Sequence, residues 1–456
     1  MKTYTTVNPA TNQPLATWNQ LDDAQALACV NQAANTWKTW RSTSLAERAT
    51  PLLRCAALLR ERKDTLADLM AREMGKPVRQ GIAEAEKCAW VCDFYAAQAE
   101  AFLDPEPVKT EAQKSYVAFE PLGVILAIMP WNFPLWQFFR FAAPTLMAGN
   151  TVVLKHAMNT SGSSMAIGDI IRDAGYPTGA VVPVIIDHRQ IETIIQHPAV
   201  RGVTLTGSTR AGQTVGAAAG AALKRSVLEL GGSDPYVILE DADIASAAEL
   251  CVTSRLINSG QSCIAAKRFI VVESVRKSFE DSMLAALKKR VVGDPLDKTI
   301  DVGPQARVDL RDELHEQVRK SIAAGAVSLL GNEIPAGPGS YYPVSMLTNV
   351  TKGMPAFNEE LFGPVAAVIS ARNEGHAIEL ANDSVFGLGA AVFTRDIKRG
   401  EAIARHELQA GCCFVNDFVK SDPRLPFGGI LESGYGRELG RAGMLEFVNT
   451  KSIVVK

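Results

Sequence analysis

The chain has 456 residues, 47% hydrophobic and 21% charged, which is close to a globular average and leaves room for two or three domains with large cores. Forty-seven basic residues against 49 acidic ones give a formal charge of −2, too even for a protein whose main work lies on a nucleic-acid backbone or an anionic membrane. Eight cysteines without a regular framework and six histidines without a ligand spacing point to a reduced, metal-free, cytoplasmic protein.

Residues 1–13 are polar and lack the charged, apolar and small-residue zones of a secretory signal. The most apolar stretch, 130–149, carries Asn132, Gln137, Arg140 and three prolines, which suits no lipid-facing helix. From 22 to about 98 the pattern is helical, with leucines at 45, 52, 53, 58, 59, 66 and 69 roughly on one face. Cys88 and Cys92 stand one turn apart in this region, and helix packing is a better reading of them than a metal clip. Asp104-Pro105-Glu106-Pro107 ends the helical run.

Short apolar runs then alternate with Ala- and Gly-rich helical segments: 124–129, 151–154, 181–186, 203–206, 227–230 and 237–239. Strands joined through helices imply crossover connections and a mostly parallel sheet. A second alternation follows a helix over 244–258, with strands at 268–272, 365–370, 390–393 and 412–415 and a helix over 274–289. Cys412 and Cys413 fall in the last of these strands, and Gly337-Pro338-Gly339 marks a loop or turn. Two successive α/β domains explain the pattern better than one large sheet.

Four local signals carry chemistry. Residues 202–212 read as strand, small-residue turn and helix start, whose backbone N–H groups suit an anion, although the GxGxxG fingerprint is absent and Gln213 replaces a P-loop lysine. Cys263 lies in a polar Gly-containing break after a helix, where a thiol can react, whereas Cys29, Cys55 and Cys251 sit in helical patterns. Glu229 is one carboxylate inside an apolar strand before Gly231-Gly232; burial would raise its pKa toward that of a general base, the alternative being a Lys-paired strand end. Asn132, between Trp131 and Phe133, is either an oxyanion donor or a residue that satisfies a buried turn.

In this order the motifs resemble the aldehyde dehydrogenase superfamily over essentially the whole chain: PWNFP at 130–134, a strand ending in Lys155, TGS at 206–208, LELGG at 228–232, GQSC at 260–263, EELFGP at 359–364 and PFGG at 426–429. The resemblance implies a Rossmann-like nucleotide-binding domain over 1–231, a catalytic domain over 232–431, and an oligomerisation arm from a segment near 103–121 with the strand 446–456, giving a homodimer or homotetramer. It implies Cys263 as nucleophile, Asn132 with the Cys263 N–H as oxyanion donors, and Glu229 as the base that activates water. It also implies an NAD or NADP cleft of Trp131, Asn132, Lys155, Met158, Gly207, Ser208, Leu230, Glu360 and Phe362, with no metal.

Arg140, eight residues beyond Asn132 in an aromatic helix, would share a face with Asn132 or Phe133. It is either half of a buried ion pair or a clamp for a substrate carboxylate, with Ser421 and Phe427 beside it. Together with LELGGSDP and VKSDPRLPFGG, this arrangement is similar to bacterial succinate-semialdehyde dehydrogenases, and implies a small anionic aldehyde as substrate. Glutarate semialdehyde, a neutral aldehyde, or a cofactor-free thiol hydrolase reaction are the alternatives. Met158 stands where many NAD-using relatives have Glu, and with Lys155, His156 and Arg210 nearby NADP should be tolerated.

Overall fold

The computed structural model describes residues 2–456. Two central sheets follow one another along the chain. The first has six strands in the order 434–435, 225–229, 200–206, 124–129, 151–156, 181–184; all pair in parallel except Gly434–Tyr435. The second has seven, in the order 327–330, 345–348, 365–371, 268–272, 235–238, 389–393, 412–415, and only its edge strand Val327–Leu330 runs antiparallel.

Both sheets are covered on both faces, which is why their inner strands read as unbroken apolar runs rather than alternating ones. In Val124–Met129, Ile125, Ala127 and Met129 pack into one cluster while Val124, Leu126 and Ile128 pack into another. The second sheet repeats this, with Val237 and Ile270 on one side and Tyr236 and Phe269 on the other.

The helical N-terminal region resolves into Asp23–Trp40, Leu45–Glu61, Lys63–Met74 and Val78–Leu103, preceded by a hairpin of Thr3–Asn8 and Gln13–Asn19 that the sequence reading did not foresee. Capping boxes start the first two: Asp22 with Gln25, and Ser44 with Glu47. Cys88 and Cys92 are buried packing residues of the fourth helix, and no cluster of ligating side chains exists among the described residues. Nor is any described helix long and apolar enough to cross a membrane.

A third sheet joins Val448–Val455 to Lys114–Pro121, and that strand to Glu106–Pro107. The chain does not simply move from one unit to the next, since Gly434–Tyr435 returns to the first sheet beside Leu228–Glu229.

Asn150 ties this return into the core. Fully buried, it accepts from the Gly123 N–H (2.9 Å) and donates to the Phe447 carbonyl (2.9 Å). Asn150→Ala leaves both backbone groups unpaired and should cost about 2–4 kcal/mol, read as a lower thermal midpoint by calorimetry; an unchanged midpoint would contradict the assignment.

Candidate active site

In a parallel sheet the strand carboxyl ends lie on one side, and crevices form there. The first sheet brings together at that side the turn after Met129, the turn after Thr206 and the end of Glu229. Facing them are the segments that lead into the second sheet, 257–267 ahead of Arg268–Val272 and 359–364 ahead of Val365–Ala371.

Cys263 lies between two cavities and lines both. One, of about 420 Å³, is walled by Trp131, Asn132, Gly207, Ser208, Leu230, Glu360 and Phe362. Ser208 caps the helix Thr209–Ala221, whose N-terminal N–H groups open toward this space and suit an anionic group. Trp131 and Phe362 meet edge to face at 5.7 Å. A Cβ on Gly231 would come within 2.5 Å of the Glu360 carboxylate, so glycine here lets Glu360 keep its position in the cavity wall. Lys155 and Met158, at the end of Thr151–His156 and the start of the following turn, line neither cavity.

The other cavity, about 520 Å³, is mostly apolar and holds Phe133, Trp136, Arg140, Ser421 and Phe427 along with Cys263. The sequence-based argument placing Arg140 on one helical face with Asn132 or Phe133 fails, because the helix begins only at Trp136 and both residues precede it. Arg140 and Phe133 share the cavity wall nonetheless. Arg140 is a buried ion-pair partner of Glu438, donates to Thr206 Oγ1 (3.3 Å), and lies over the Phe427 ring at 4.9 Å.

The turn that carries Cys263 is held from several sides. Asn258, Ser259 and Gly260 are all left-handed, with φ of 53°, 57° and 78°, a conformation that costs about 1–3 kcal/mol per non-glycine residue. Asn258 Nδ2 donates to the Asn132 carbonyl (2.7 Å), and Ser259 Oγ accepts from the Gly303 N–H (2.9 Å). The buried Lys267 ammonium donates to the carbonyls of Ser262 (2.9 Å), Cys263 (2.8 Å) and Ala265 (3.2 Å), and lies 3.4 Å from Glu360. Asn132 Nδ2 donates to the Gln261 carbonyl (3.2 Å), which brings the PWNFP turn against the cysteine loop.

Glu84 anchors that turn from below. It accepts from the N–H groups of Leu135 and Trp136, both at 2.9 Å, and pairs with buried Lys76. His156 Nε2 donates to the Pro134 carbonyl (2.8 Å), and burial pulls its pKa down to about 4, so the ring is neutral. The expected cationic help from His156 toward a phosphate is therefore corrected: the ring braces the turn.

Glu229 is 2% exposed, and neither carboxylate oxygen has a hydrogen-bond partner. It lines neither cavity and sits against the PFGG turn, where a Cβ on Gly428 would lie 2.7 Å from Oε1. Burial raises its pKa well above the ordinary carboxylate range, opposed by Arg140. The same cause pushes the Cys263 thiol up to about 12, against the pull of Arg140 and Lys267.

Sequence reasoning missed Lys87, Glu84 and Lys267. Lys87 had a readable signal, a charge bordering the buried stripe Gly81, Glu84, Cys88, Val91, Cys92 of its helix; Lys267, with Arg268 beside it, breaks the apolar run after Cys263.

A family model described as the aldehyde dehydrogenase family matches residues 1–453. A probable NADP+ succinate-semialdehyde dehydrogenase of Synechocystis is 46% identical over 448 residues, 98% of each chain. An NAD(P)+ succinate semialdehyde dehydrogenase of Escherichia coli is also 46% identical, over 98% of this chain and 96% of that one. The crystal structure of succinic semialdehyde dehydrogenase from Streptococcus pyogenes with NADP+ superposes with a TM-score of 0.97 at 35% identity, covering 99% of each chain.

A thiol held this far above neutrality is almost wholly protonated at pH 7, and its thiolate fraction climbs about tenfold per pH unit. Alkylation of Cys263 by iodoacetamide, followed by mass spectrometry, should accelerate steadily from pH 7 to 9; a plateau at or below pH 8 would contradict the burial argument.

Proposed function

As the chain belongs to the aldehyde dehydrogenase family, we propose that it oxidises succinate semialdehyde to succinate with NADP or NAD, through a thioester on Cys263. The observation that carries this reading is the position of one sulfur shared by an apolar cavity with cations in its wall and a cleft with an anion-binding helix start. The names of the relatives from Synechocystis, Escherichia coli and Streptococcus pyogenes support the substrate.

Cys263 releases its proton to water, and the small thiolate fraction adds to the aldehyde carbon and forms a thiohemiacetal. The Asn132 amide, whose second N–H is not committed to Gln261, and the Cys263 N–H stabilise the oxyanion. A bound nicotinamide supplies the acceptor for the hydride, and the carbon is left as a thioester. Glu229, with no hydrogen-bond partner to hold it, turns toward the acyl carbon, loses its proton to water as it leaves its buried position, and as a carboxylate takes a proton from the attacking water. The carboxylate product leaves as the thiolate is regenerated.

Gly207 and Ser208 would hold the pyrophosphate at the helix start and Glu360 a ribose, with Trp131, Leu230 and Phe362 bounding the cleft, while Lys155 and Met158, which line neither cavity, would meet the other ribose from beyond that wall. With Met158 in place of an acid, no carboxylate at that position repels a 2′-phosphate, and Arg210 in the cleft wall favours it. In the other cavity Ser421 lies where the distal carboxylate would be received, with Arg140, already paired with Glu438, and Phe427 along the substrate chain. The enzyme works in the cytoplasm, consistent with eight unpaired cysteines, and assembles as a homodimer or homotetramer through the strand Val448–Val455, where Val454 and Val455 are exposed.

Rates on a panel of aldehydes test this. With NADP at pH 7.5, kcat/KM for succinate semialdehyde should exceed that for butanal by about 100-fold, the value of a charge-assisted carboxylate contact, with glutarate semialdehyde between. Cys263→Ser should lower NADPH formation at least about 1,000-fold. Undiminished oxidation by that variant, or ester hydrolysis without any aldehyde-dependent reduction, would overturn the proposal.

A further inference from the structure

Six charged side chains line the cavity that holds Arg140: Glu84, Lys87, Arg140, Arg290, Asp301 and Lys420. Five of them have a partner of opposite charge. Glu84 pairs with Lys76, Arg140 with Glu438, Arg290 with Glu249, Asp301 with Arg79, and Lys420 with Asp417. Lys87 pairs with no carboxylate among the described residues. Its ammonium donates to Ser421 Oγ at 2.8 Å and lies 4.3 Å from the centre of the Trp136 ring.

An ammonium has three donors, and here one reaches a hydroxyl while a ring face screens the charge. A cation removed from water without an anion is costly, and the cost falls away when an anion enters. Arg140 is less available for that role, since Glu438 already neutralises its guanidinium. We propose that Lys87, with the Ser421 hydroxyl that it orients, is the group that takes the distal carboxylate of the substrate and sets the preference for anionic aldehydes. This assignment rests on the reading of the cavity as the substrate site.

The groups that face Lys87 are Glu84 and Cys88 on its own helix, Arg140 on the helix Trp136–Met147, and Asp422 on the loop after the second sheet. Asp422 is engaged by Arg424 and Glu84 by Lys76, and although both draw the Lys87 pKa upward neither forms an ion pair with it. Burial, followed by the Arg140 charge, brings the Lys87 pKa down to about 8. A lowered lysine pKa means that the attraction is complete below that value and disappears as pH rises through it. The substrate carboxylate stays ionised over the whole range, so the loss belongs to the enzyme.

The experiment compares wild type, Lys87→Met and Lys87→Arg on succinate semialdehyde and butanal with NADP from pH 6.5 to 9.5. Lys87→Met should raise KM for succinate semialdehyde about 30- to 100-fold at pH 7, the range of a hydrogen bond to a charged group, while kcat/KM for butanal changes less than about threefold. Lys87→Arg should restore most of the preference. The wild-type ratio of the two kcat/KM values should fall above about pH 8, and in Lys87→Met it should be flat; the ratio cancels the titration of Cys263, common to both substrates. Relieved of an unpaired charge, Lys87→Met should keep or raise the thermal midpoint. Equal losses on both aldehydes with a lowered midpoint make Lys87 a scaffold residue and overturn the proposal. A preference retained by Lys87→Met overturns this assignment alone, whereas a wild type with no preference overturns the substrate reading with it.

Discussion

Lys267 lies inside the loop that carries Cys263, and its buried ammonium is met by three carbonyls of that loop and by Glu360. Burying such a charge is unfavourable unless its donors are satisfied, so loop and ammonium order each other. The left-handed run 258–260 is retained on the same terms: strain at Asn258 and Ser259 is offset by bonds to the PWNFP turn and to Gly303. The result is a cysteine whose backbone is fixed from both sheets, with Glu360, an acidic residue of the cavity walled by Trp131 and Phe362, fastened to the same lysine. Movement of Glu360 and of the Cys263 loop are thereby coupled.

Burial drives the ionisable groups of the site toward neutrality: the thiol of Cys263 and the carboxyl of Glu229 are held up, and the Lys87 ammonium is held down. Glu438 is held up by burial as well, against the pull of the Arg140 guanidinium with which it pairs. An apolar chamber of this kind admits a neutral aldehyde group readily, and asks of a charged substrate that it bring the countercharge the wall lacks.

Much of the architecture was legible in the sequence. Strands such as 124–129 and 268–272 are buried on both faces, so their runs of apolar residues stand out from the helices between them. The hairpin at 3–19 gave no such signal, because only Thr6 of its first strand is buried. Lys114–Pro121 is half-buried along nearly its whole length and shows no alternation; only the family resemblance pointed to it. Cys263, Glu229 and Asn132 stood out as polar residues in the wrong local setting. Lys87, Lys267 and Glu84 owe their importance to partners far along the chain, Ser421, Glu360 and Leu135 among them; a charge at the border of a buried stripe marks Lys87 locally, but nothing in the sequence names those partners.

The strand Lys114–Pro121 finds its long partner, Val448–Val455, more than three hundred residues downstream. During synthesis it therefore leaves the ribosome with an open edge, long before the segment that will cover it exists. Its composition suits that wait: Lys114 and Glu120 flank the apolar residues, and the strand stops at Pro121, which has no N–H to offer an intruder. Nascent chains thus carry their own protection against premature pairing with neighbours on the same messenger.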